Sequence, residues 1–446
     1  MDLETLRKLS VEDLLLPVMV QLVVIILVAR LFAYLFRKIG QTSVVGEICA
    51  GVVLGPSLLG AFFPELFHAL FQPKLPEISQ AVSNELLKRI FAVLSQLGLI
   101  FLLFLMGIEF DYGHLKKNGK SALAICLSGI ALPFALGFGL GYLIHPYLEP
   151  HPEKGLVDPL GLSLFLGVAL SITAIPVLGR ILMELNITRT RIGTIAISAA
   201  AFGDALGWIL LAAVAATVQT GFDWKMTLWM ILSTALFGLF IYFLARPLLI
   251  RWLRWSMRQT PGEIGIDTLA IFLGVLFFCA ILTNLIGIFA IFGPFCLGAV
   301  LSDQEDFREA IMKRMSDLVM TFFLPIFFMY TGLRTEFSSL DSLSLWLICG
   351  AICLAALVGK LGGCGIAAYW SGFSKRESTI IGILMNTRGL VELIVINVGY
   401  DLGVIPKSVF CMLVIMALLT TIMTTPILLR LVPGTELEEH VRKTRR

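Results

Sequence analysis

The stretch "LGLSLFLGVALSITAIPVLGRIL", residues 160–182, decides the fold of this chain. It is apolar and long enough to cross a bilayer, which takes about 20 residues of helix. Pro176 removes a backbone hydrogen-bond donor from it, and the hydroxyl-bearing residues Ser171 and Thr173 come shortly before. Irregular backbone at membrane depth is tolerated only where it is buried in protein or lines a wet cavity. The stretch therefore predicts a membrane helix that is interrupted inside the protein.

A second apolar stretch, "ESTIIGILMNTRGLVELIVINVGY" at residues 377–400, carries a group of polar residues near its middle and no proline. The two stretches lie seven apolar segments apart, so the two helices run in opposite directions. Taken alone, each interruption is explained as well by a structural feature, a proline kink in the first helix or a polar patch in the second, as by a role in function. Paired interruptions in inverted positions, however, are typical of secondary transporters, whose binding site lies near the bilayer midplane.

The composition indicates a polytopic, all-α membrane protein. Of the 446 residues, 58% are hydrophobic and 15% are charged, and the mean hydropathy is +0.91. The net charge of +3 calls for no nucleic-acid partner, and we interpret the eight cysteines, all within apolar segments, as packing residues. Thirteen apolar segments can be counted, at residues 14–36, 43–60, 91–110, 120–146, 160–182, 190–219, 226–248, 265–286, 288–302, 315–332, 343–370, 377–400 and 407–431.

The distribution of lysine and arginine predicts the orientation in the membrane. The odd-numbered loops and the C-terminal tail carry 22 of the 34 basic residues, whereas the N-terminus and the even-numbered loops carry 9. Because cytoplasmic loops carry the excess of basic residues, we expect the N-terminus outside and the C-terminus inside. This orientation requires an odd number of spans, which thirteen satisfies.

Two ionisable residues lie near the middle of apolar segments. Asp204 stands in "AAFGDALGW", residues 200–208, and Lys360 stands in a glycine-rich part of segment eleven. A lone ion at that depth costs at least a few kcal/mol and is kept where it faces a partner or water. The alternatives are a structural, hydrogen-bonded acid and a lysine that reaches the interface. The mid-depth position of both residues favours a functional site.

Five further residues are candidates for structural, gating or charge-compensating roles. Arg388 and Glu392 are four residues apart and can meet on one helix face. Glu392 would sit in the first turn of the second half-helix, where an anion is favoured, and Arg388 can reach the last carbonyls of the first half. Asn386 and Glu47 are candidates for gating or structural positions, as is Pro176. For these residues a structural role and a role in transport remain equally open.

Five dispersed stretches then identify a family. The chain resembles the monovalent cation:proton antiporter-2 family, which includes Kef-type potassium efflux proteins and plant cation/H+ exchangers. The resemblance implies thirteen helices in a dimerisation domain and a core domain, with helices 5 and 12 broken and crossing. It places the ion-binding aspartate on Asp204 and the core lysine on Lys360. The matching stretches are "QTSVVGEICAGVVLGPSLLG", "LSITAIPVLGRIL", "AAFGDALGW", "IGIFAIFGPFCLGAVLS" and "NTRGLVELIVINVG".

Two departures from the family pattern change the expectation. Many relatives carry two adjacent acids where this chain has Gly203 and Asp204, and a single acid goes with electroneutral exchange in the wider superfamily. Kef-type relatives also carry a cytosolic nucleotide-binding domain, which this sequence does not contain, so nucleotide gating is not expected.

From the resemblance and the segment pattern we expect a scaffold of residues 1–111 and 265–333 and a transport core of residues 119–219 and 343–432. Residues 226–258 would form a linker helix, and residues 433–446 a short cytoplasmic tail.

The predicted function is secondary active exchange of K+ or Na+ for H+ by alternating access, in a homodimer in the cell or inner membrane. Asp204 would bind the cation or the proton, with the hydroxyls of Ser171 and Thr173 completing the shell. Lys360, Arg388 and Glu392 would compensate charge. A gated cation channel and a sodium-coupled organic-anion symporter are the alternatives. No cofactor is expected, and an enzyme is disfavoured because motifs such as H-E-x-x-H are missing from the sequence.

Overall fold

The computed structural model of the chain describes residues 10–75, 78–109, 119–152, 155–185, 187–188, 190–220, 223–259, 263–438 and 441. Part of the predicted tail and the side chain of Pro176 lie outside the described residues. The regular structure is helical. The helices are α1 (Val11–Lys38), α2 (Ser43–Leu54), α3 (Leu59–Phe62), α4 (Pro64–Phe71), α5 (Gln80–Ile108), α6 (Gly119–Ile144), α7 (Pro159–Ser171), α8 (Ile175–Glu184), α9 (Arg191–Gln219), α10 (Trp224–Phe240), α11 (Arg246–Gln259), α12 (Ile266–Ile286), α13 (Phe292–Leu301), α14 (Glu305–Leu318), α15 (Leu324–Arg334), α16 (Leu343–Trp370), α17 (Lys375–Leu384), α18 (Leu390–Asp401) and α19 (Lys407–Leu431).

Within the described ranges, ten helices are long and apolar enough to cross a membrane, and two shorter apolar helices, α7 and α13, accompany them. The prediction of an all-α membrane protein with many spans is therefore confirmed. α12 ends at Gly287, whose φ of 97° is the left-handed conformation that glycine adopts most readily. This is the break that separates the eighth and ninth apolar segments.

Several helices extend beyond the apolar runs that revealed them. α5 begins at Gln80, eleven residues before the apolar run, and the expected loop before it contains α4. α10 and α11 are joined by a π-helical turn, Ile241–Ala245, and a second such turn, Val319–Phe323, joins α14 to α15. Polar and charged turns at the ends of helices belong to no apolar run, so counting apolar residues leaves them out.

The chain divides into two compact units. The first unit comprises Met1–Arg30, Ala50–Asp111 and Gln219–Leu333. One of its hydrophobic clusters joins Ile25, Phe67, Phe91 and Ile326, which come from α1, α4, α5 and α15. In the same unit, Gly332 lies so close to Gly51 that a Cβ atom on it would overlap the Gly51 carbonyl.

The second unit comprises Leu31–Cys49, Tyr112–Val218 and Arg334–Arg446. Its core is built from small and branched residues of α6, α8, α9, α16, α17 and α19, such as Ile125, Ala196 and Leu384. α6 and α16 approach closely at Gly363, where a Cβ atom would overlap the carbonyl oxygen of Ser128. Small residues at such crossings let the backbones of membrane helices come into contact.

Candidate functional site

Two helix interruptions in the second unit lie against each other. α7 and α8 are separated by residues 172–174, and α17 and α18 by residues 385–389. The backbone N–H of Ala174 donates to the carbonyl of Thr387 at 3.0 Å. The hydroxyl of Thr173 donates to the carbonyl of Met385 at 2.9 Å. Backbone groups that each interruption frees from its own helix are thus satisfied by the other, as a low-dielectric environment requires.

Different residues make the two interruptions. Pro176 stands in the first turn of α8, where its missing N–H costs nothing, and it ends the preceding helix. The second interruption has no proline and depends on close approach instead. A Cβ atom on Gly389 would lie 2.9 Å from Val177 Cγ2 and 3.5 Å from Ala174 Cβ. Glycine at this position therefore lets the two interruptions touch.

Lys360 binds the first interruption. Its side chain is 1% exposed, and its ammonium donates to the carbonyl of Ser171 and, at 2.8 Å, to the hydroxyl of Thr173. The hydroxyl of Ser171 donates to the Gly167 carbonyl at 2.7 Å. Lys360 therefore donates hydrogen bonds to oxygen atoms at the end of α7 that accept none from their own helix.

Asp204 lies beside the same interruption. It is 5% exposed, and its Oδ1 has no hydrogen-bond partner among the described residues. One turn further along α9, a Cβ atom on Gly207 would lie 3.3 Å from Ile172 Cγ1, so this helix passes residues 172–174. The ammonium of Lys360 is close enough to act electrostatically on the Asp204 carboxyl. A buried carboxyl whose oxygen has no hydrogen-bond partner among the described residues can accept either a proton or a cation.

Arg388 and Glu392 form a buried ion pair, with 3.4 Å between Nη1 and Oε1. Sequence reasoning expected Arg388 to reach the last carbonyls of its own first half-helix. Its guanidinium instead donates to the carbonyls of Ala169 and Leu170, at 2.5 and 2.7 Å, which belong to the last turn of α7. Because the two interruptions face each other, the nearest open carbonyls belong to the other helix.

The remaining predicted residues lie in the same unit. Asn386 is 1% exposed, and its Oδ1 has no hydrogen-bond partner among the residues described. Glu47 is buried in α2. Burial alone does not distinguish a gating role from a structural one, so the part of both residues in the site stays a prediction.

Sequence reasoning missed two residues of this region. Thr421 of α19 accepts from the Arg388 N–H at 3.0 Å and donates to the Arg388 carbonyl at 2.8 Å, and so holds the second interruption. Cys126 of α6 lies beside Gly203, the residue before Asp204, because a Cβ atom on Gly203 would be 3.9 Å from the Cys126 sulfur. Threonine and cysteine are common in membrane helices, and hydropathy does not single them out.

Proteins of similar sequence carry names that agree with this site. The Cation/H(+) antiporter 17 of Arabidopsis thaliana is 36% identical over 434 residues, which are 96% of this chain and 50% of the plant protein. The Na(+)/H(+) antiporter NhaS4 of Synechocystis is 38% identical over 422 residues, which are 94% of this chain and 98% of that protein. The chain spans about half the length of the first plant relatives that it matches.

The fold also has a solved counterpart. The sodium proton antiporter MjNhaP1 from Methanocaldococcus jannaschii superposes with a TM-score of 0.63, over 97% of this chain and 99% of that one. At 16% identity, this likeness concerns the fold alone. The family model described as "Sodium/hydrogen exchanger, transmembrane" matches residues 23–431. The resemblance found in the motifs is thereby confirmed, and the chain belongs to the sodium/hydrogen exchanger family.

Proposed function

We propose that this protein exchanges a monovalent cation, Na+ or K+, for H+ at Asp204. The observation that carries the proposal is the buried Asp204 carboxyl beside Lys360 and a helix interruption. Its Oδ1 has no hydrogen-bond partner among the described residues. Irregular backbone at membrane depth is tolerated where it is buried in protein or lines a cavity, and a charged side chain there marks ion pathways. The names of the relatives, which are cation/proton antiporters, support the same activity.

Competition at one carboxyl couples the two fluxes. When its proton leaves, Asp204 becomes a hard oxygen ligand for the cation. The hydroxyl of Thr173 and the carbonyl of Ser171 would complete the shell, and Lys360 holds both of these oxygens in this structure. The lysine and the cation therefore compete for the same atoms. Release of the cation returns the ammonium to them, and coupling follows if the site crosses the membrane only with H+ or the cation bound to Asp204.

The Arg388 and Glu392 pair serves to hold the interruptions together as one body. Arg388 joins α18 to the end of α7 through two carbonyls, and Glu392 balances its charge. We assign Asn386, Glu47 and Pro176 to the gating and support of the same region. Bonds between the two interruptions favour their movement as a unit.

The wider architecture completes the proposal. The chain would cross the membrane thirteen times, with helices five and twelve formed by α7–α8 and α17–α18, the N-terminus outside and the C-terminus inside. The second unit would be the moving core and the first unit the scaffold of a homodimer. Alternating access would follow from rigid-body movement of the core, as in other inverted-repeat transporters.

The first test compares the wild type with Asp204→Asn in proteoliposomes that contain a pH-sensitive dye. The variant keeps the size of the side chain and loses the charge, so cation-driven proton flux is expected to fall to the level of empty vesicles. Asp267→Asn, which removes an exposed carboxylate at the start of α12, is the matched control and keeps its flux. Near-normal exchange by Asp204→Asn removes this residue from the mechanism.

The same vesicles test the stoichiometry. A single acid at positions 203–204 favours exchange of one cation for one proton, which moves no net charge. With Na+ as the driving cation, clamping the potential with valinomycin and K+ should therefore leave the initial rate unchanged. A rate that follows the imposed potential contradicts electroneutral exchange, and cation flux without proton movement indicates a channel instead.

A further inference from the structure

A surface groove runs between α16 and α17 in the second unit. Its volume is about 410 Å³, and it is lined by residues of α16 from Leu361 to Trp370 and by the first two turns of α17. Gly365 belongs to the α16 wall, and a Cβ atom on it would lie 3.5 Å from the Ser378 carbonyl oxygen of α17. The absence of a side chain at Gly365 leaves room between the two helices.

The α16 wall of this groove is apolar and exposed. Ile366, Tyr369 and Trp370 are 50%, 51% and 81% exposed. Lipid tails are as apolar as leucine, so such side chains are at home on the outside of a membrane helix. Tyrosine and tryptophan are enriched where the hydrocarbon meets the headgroups. The two aromatic residues therefore mark the level at which the groove leaves the hydrocarbon.

The length of α16 gives the depth of the groove independently. With the middle of this 28-residue helix at the bilayer midplane, Leu361 lies about 7 Å and Trp370 about 20 Å from the midplane, at about 1.5 Å per residue. The hydrocarbon of one leaflet is about 15 Å thick. The groove thus faces acyl chains near Leu361 and headgroups near Trp370.

The headgroup end of the groove is positively charged. Lys375 is exposed there, and its ammonium makes no hydrogen bond or ion pair with the described residues. None of the lining residues that the structure describes is acidic. The nearby Glu377 carboxylate is turned to the N-cap of α17, where it accepts from the Ser374 N–H at 2.8 Å. The start of α17 adds the partial positive charge of a helix N-terminus.

We propose that this groove binds one phospholipid with a net negative headgroup. One acyl chain lies along the apolar wall of α16, and the phosphate meets the Lys375 ammonium and the first N–H groups of α17, which have no acceptor in their own helix. The apolar wall accounts for a lipid rather than a soluble anion. In the proposed orientation the lipid belongs to the cytoplasmic leaflet, which carries a negative surface potential.

The lipid would join two helices that lead to the exchange site. α16 carries Lys360 directly before Leu361, and α17 ends at the second interruption. A ligand that binds only the folded state stabilises it in proportion to its occupancy. The lipid contacts do not involve Asp204, so this inference stands apart from the proposed exchange.

The test uses the full-length protein, purified in detergent and freed of its own lipid. Phosphatidylglycerol or phosphatidylcholine with the same acyl chains is added in mixed micelles. The unfolding temperature and the number of lipids retained in native mass spectrometry are recorded. Phosphatidylglycerol should raise the unfolding temperature saturably, with one lipid retained per chain, at about a fivefold lower concentration than phosphatidylcholine.

Two further results separate a lipid from other occupants. Inorganic phosphate, which has the headgroup charge and no acyl chain, should leave the unfolding temperature unchanged. A shift with phosphate alone, or equal binding of the two lipids, overturns the proposal. Binding of neither lipid overturns it as well, and indicates that a second copy of the chain covers the groove.

Variants assign the binding to the groove. Lys375→Gln should weaken phosphatidylglycerol binding about fivefold and leave phosphatidylcholine binding unchanged. Thr379→Phe fills the groove and should weaken both lipids, while its hydroxyl gives up only a bond to a carbonyl of its own helix. Lys313→Gln removes an exposed lysine of α14, and Leu347→Phe enlarges an exposed side chain elsewhere on α16. Both controls should keep wild-type binding. Wild-type lipid preference in Lys375→Gln overturns the proposal, even if Thr379→Phe proves unstable.

Discussion

At the scale of single residues, the Arg388 side chain joins the two helix interruptions. Its guanidinium holds two carbonyls of α7 and lies 3.4 Å from Glu392. A buried ion pair is weak evidence for stability, because desolvation opposes the attraction, yet removing one partner leaves a buried charge. The two substitutions should therefore be strongly coupled.

We predict that Arg388→Met lowers the free energy of unfolding by about 3 to 5 kcal/mol, because Glu392 is left buried without its partner. Adding Glu392→Gln should restore about 0.5 to 3 kcal/mol of this loss. The exposed pair Arg89 and Glu85, 2.7 Å apart at the same i,i+4 spacing, is the control and should couple by about 0.5 kcal/mol or less. Denaturant unfolding in detergent measures all variants, and additive losses at Arg388 and Glu392 would contradict the prediction.

The sequence revealed the charged residues of the site for a simple physical reason. An ionisable side chain deep in an apolar segment is costly, so Asp204 and Lys360 stand out against their apolar neighbours in the chain. The sequence did not reveal that Lys360 binds the Ser171 carbonyl and the Thr173 hydroxyl, because these contacts join residues almost 190 positions apart. Thr421 escaped notice for the same reason, since its bonds to Arg388 depend on tertiary structure.

At the scale of helices, close packing of backbones depends on a few glycines. α16 carries Gly350 and Gly363, and the two have opposite surroundings. A Cβ atom on Gly363 would overlap the Ser128 carbonyl of α6, whereas nothing lies within 4 Å of the corresponding position on Gly350. One helix thus offers both a crowded and an open glycine.

Gly363→Ala is expected to destabilise the protein by about 1 to 3 kcal/mol, because α6 and α16 must move apart. Gly350→Ala should be neutral or stabilising by up to about 1 kcal/mol, because alanine favours the helix and meets no obstacle. Thermal unfolding of the two purified variants gives the comparison. Equal losses for both would show that the helix crossing at Gly363 is looser than described.

Helix existence was easier to predict than helix length. The proline of segment five predicted an interruption because its missing N–H cannot continue the hydrogen bonds of a preceding helix. The starts of α5 and α14 were placed about ten residues too late, because the residues before each apolar run include polar and charged ones. The two π-helical turns leave no signature in hydropathy either, since one extra residue does not change the composition.

At the scale of the whole molecule, each of the two units is discontinuous in sequence. The second unit takes three separate parts of the chain, and the first unit takes the parts between and before them. The proposed sidedness follows from the basic residues in the loops, which are concentrated in the odd-numbered ones. It can be tested without measuring transport.

Leu156 is 90% exposed in the loop between α6 and α7, and Lys375 is exposed at the start of α17. In a background without the eight native cysteines, Leu156→Cys should react with a membrane-impermeant maleimide added to intact cells. Lys375→Cys should react only after the membrane is opened, because its loop is expected inside. The reverse pattern would invert the topology, and labelling of both from outside would change the number of spans.

The mutual bonding of the two interruptions also bears on biosynthesis. Thr173 and Met385 are 212 residues apart in sequence. At about 5 to 20 residues per second, a ribosome delivers the second partner roughly 10 to 40 seconds after the first. Throughout this interval the amide of Ala174 has no native acceptor, and an unsatisfied amide is not stable in lipid. We expect the nascent helix to wait beside water or the insertion machinery, so that hydrogen exchange at Ala174 is fast in a stalled chain ending before residue 385 and slow in the finished protein.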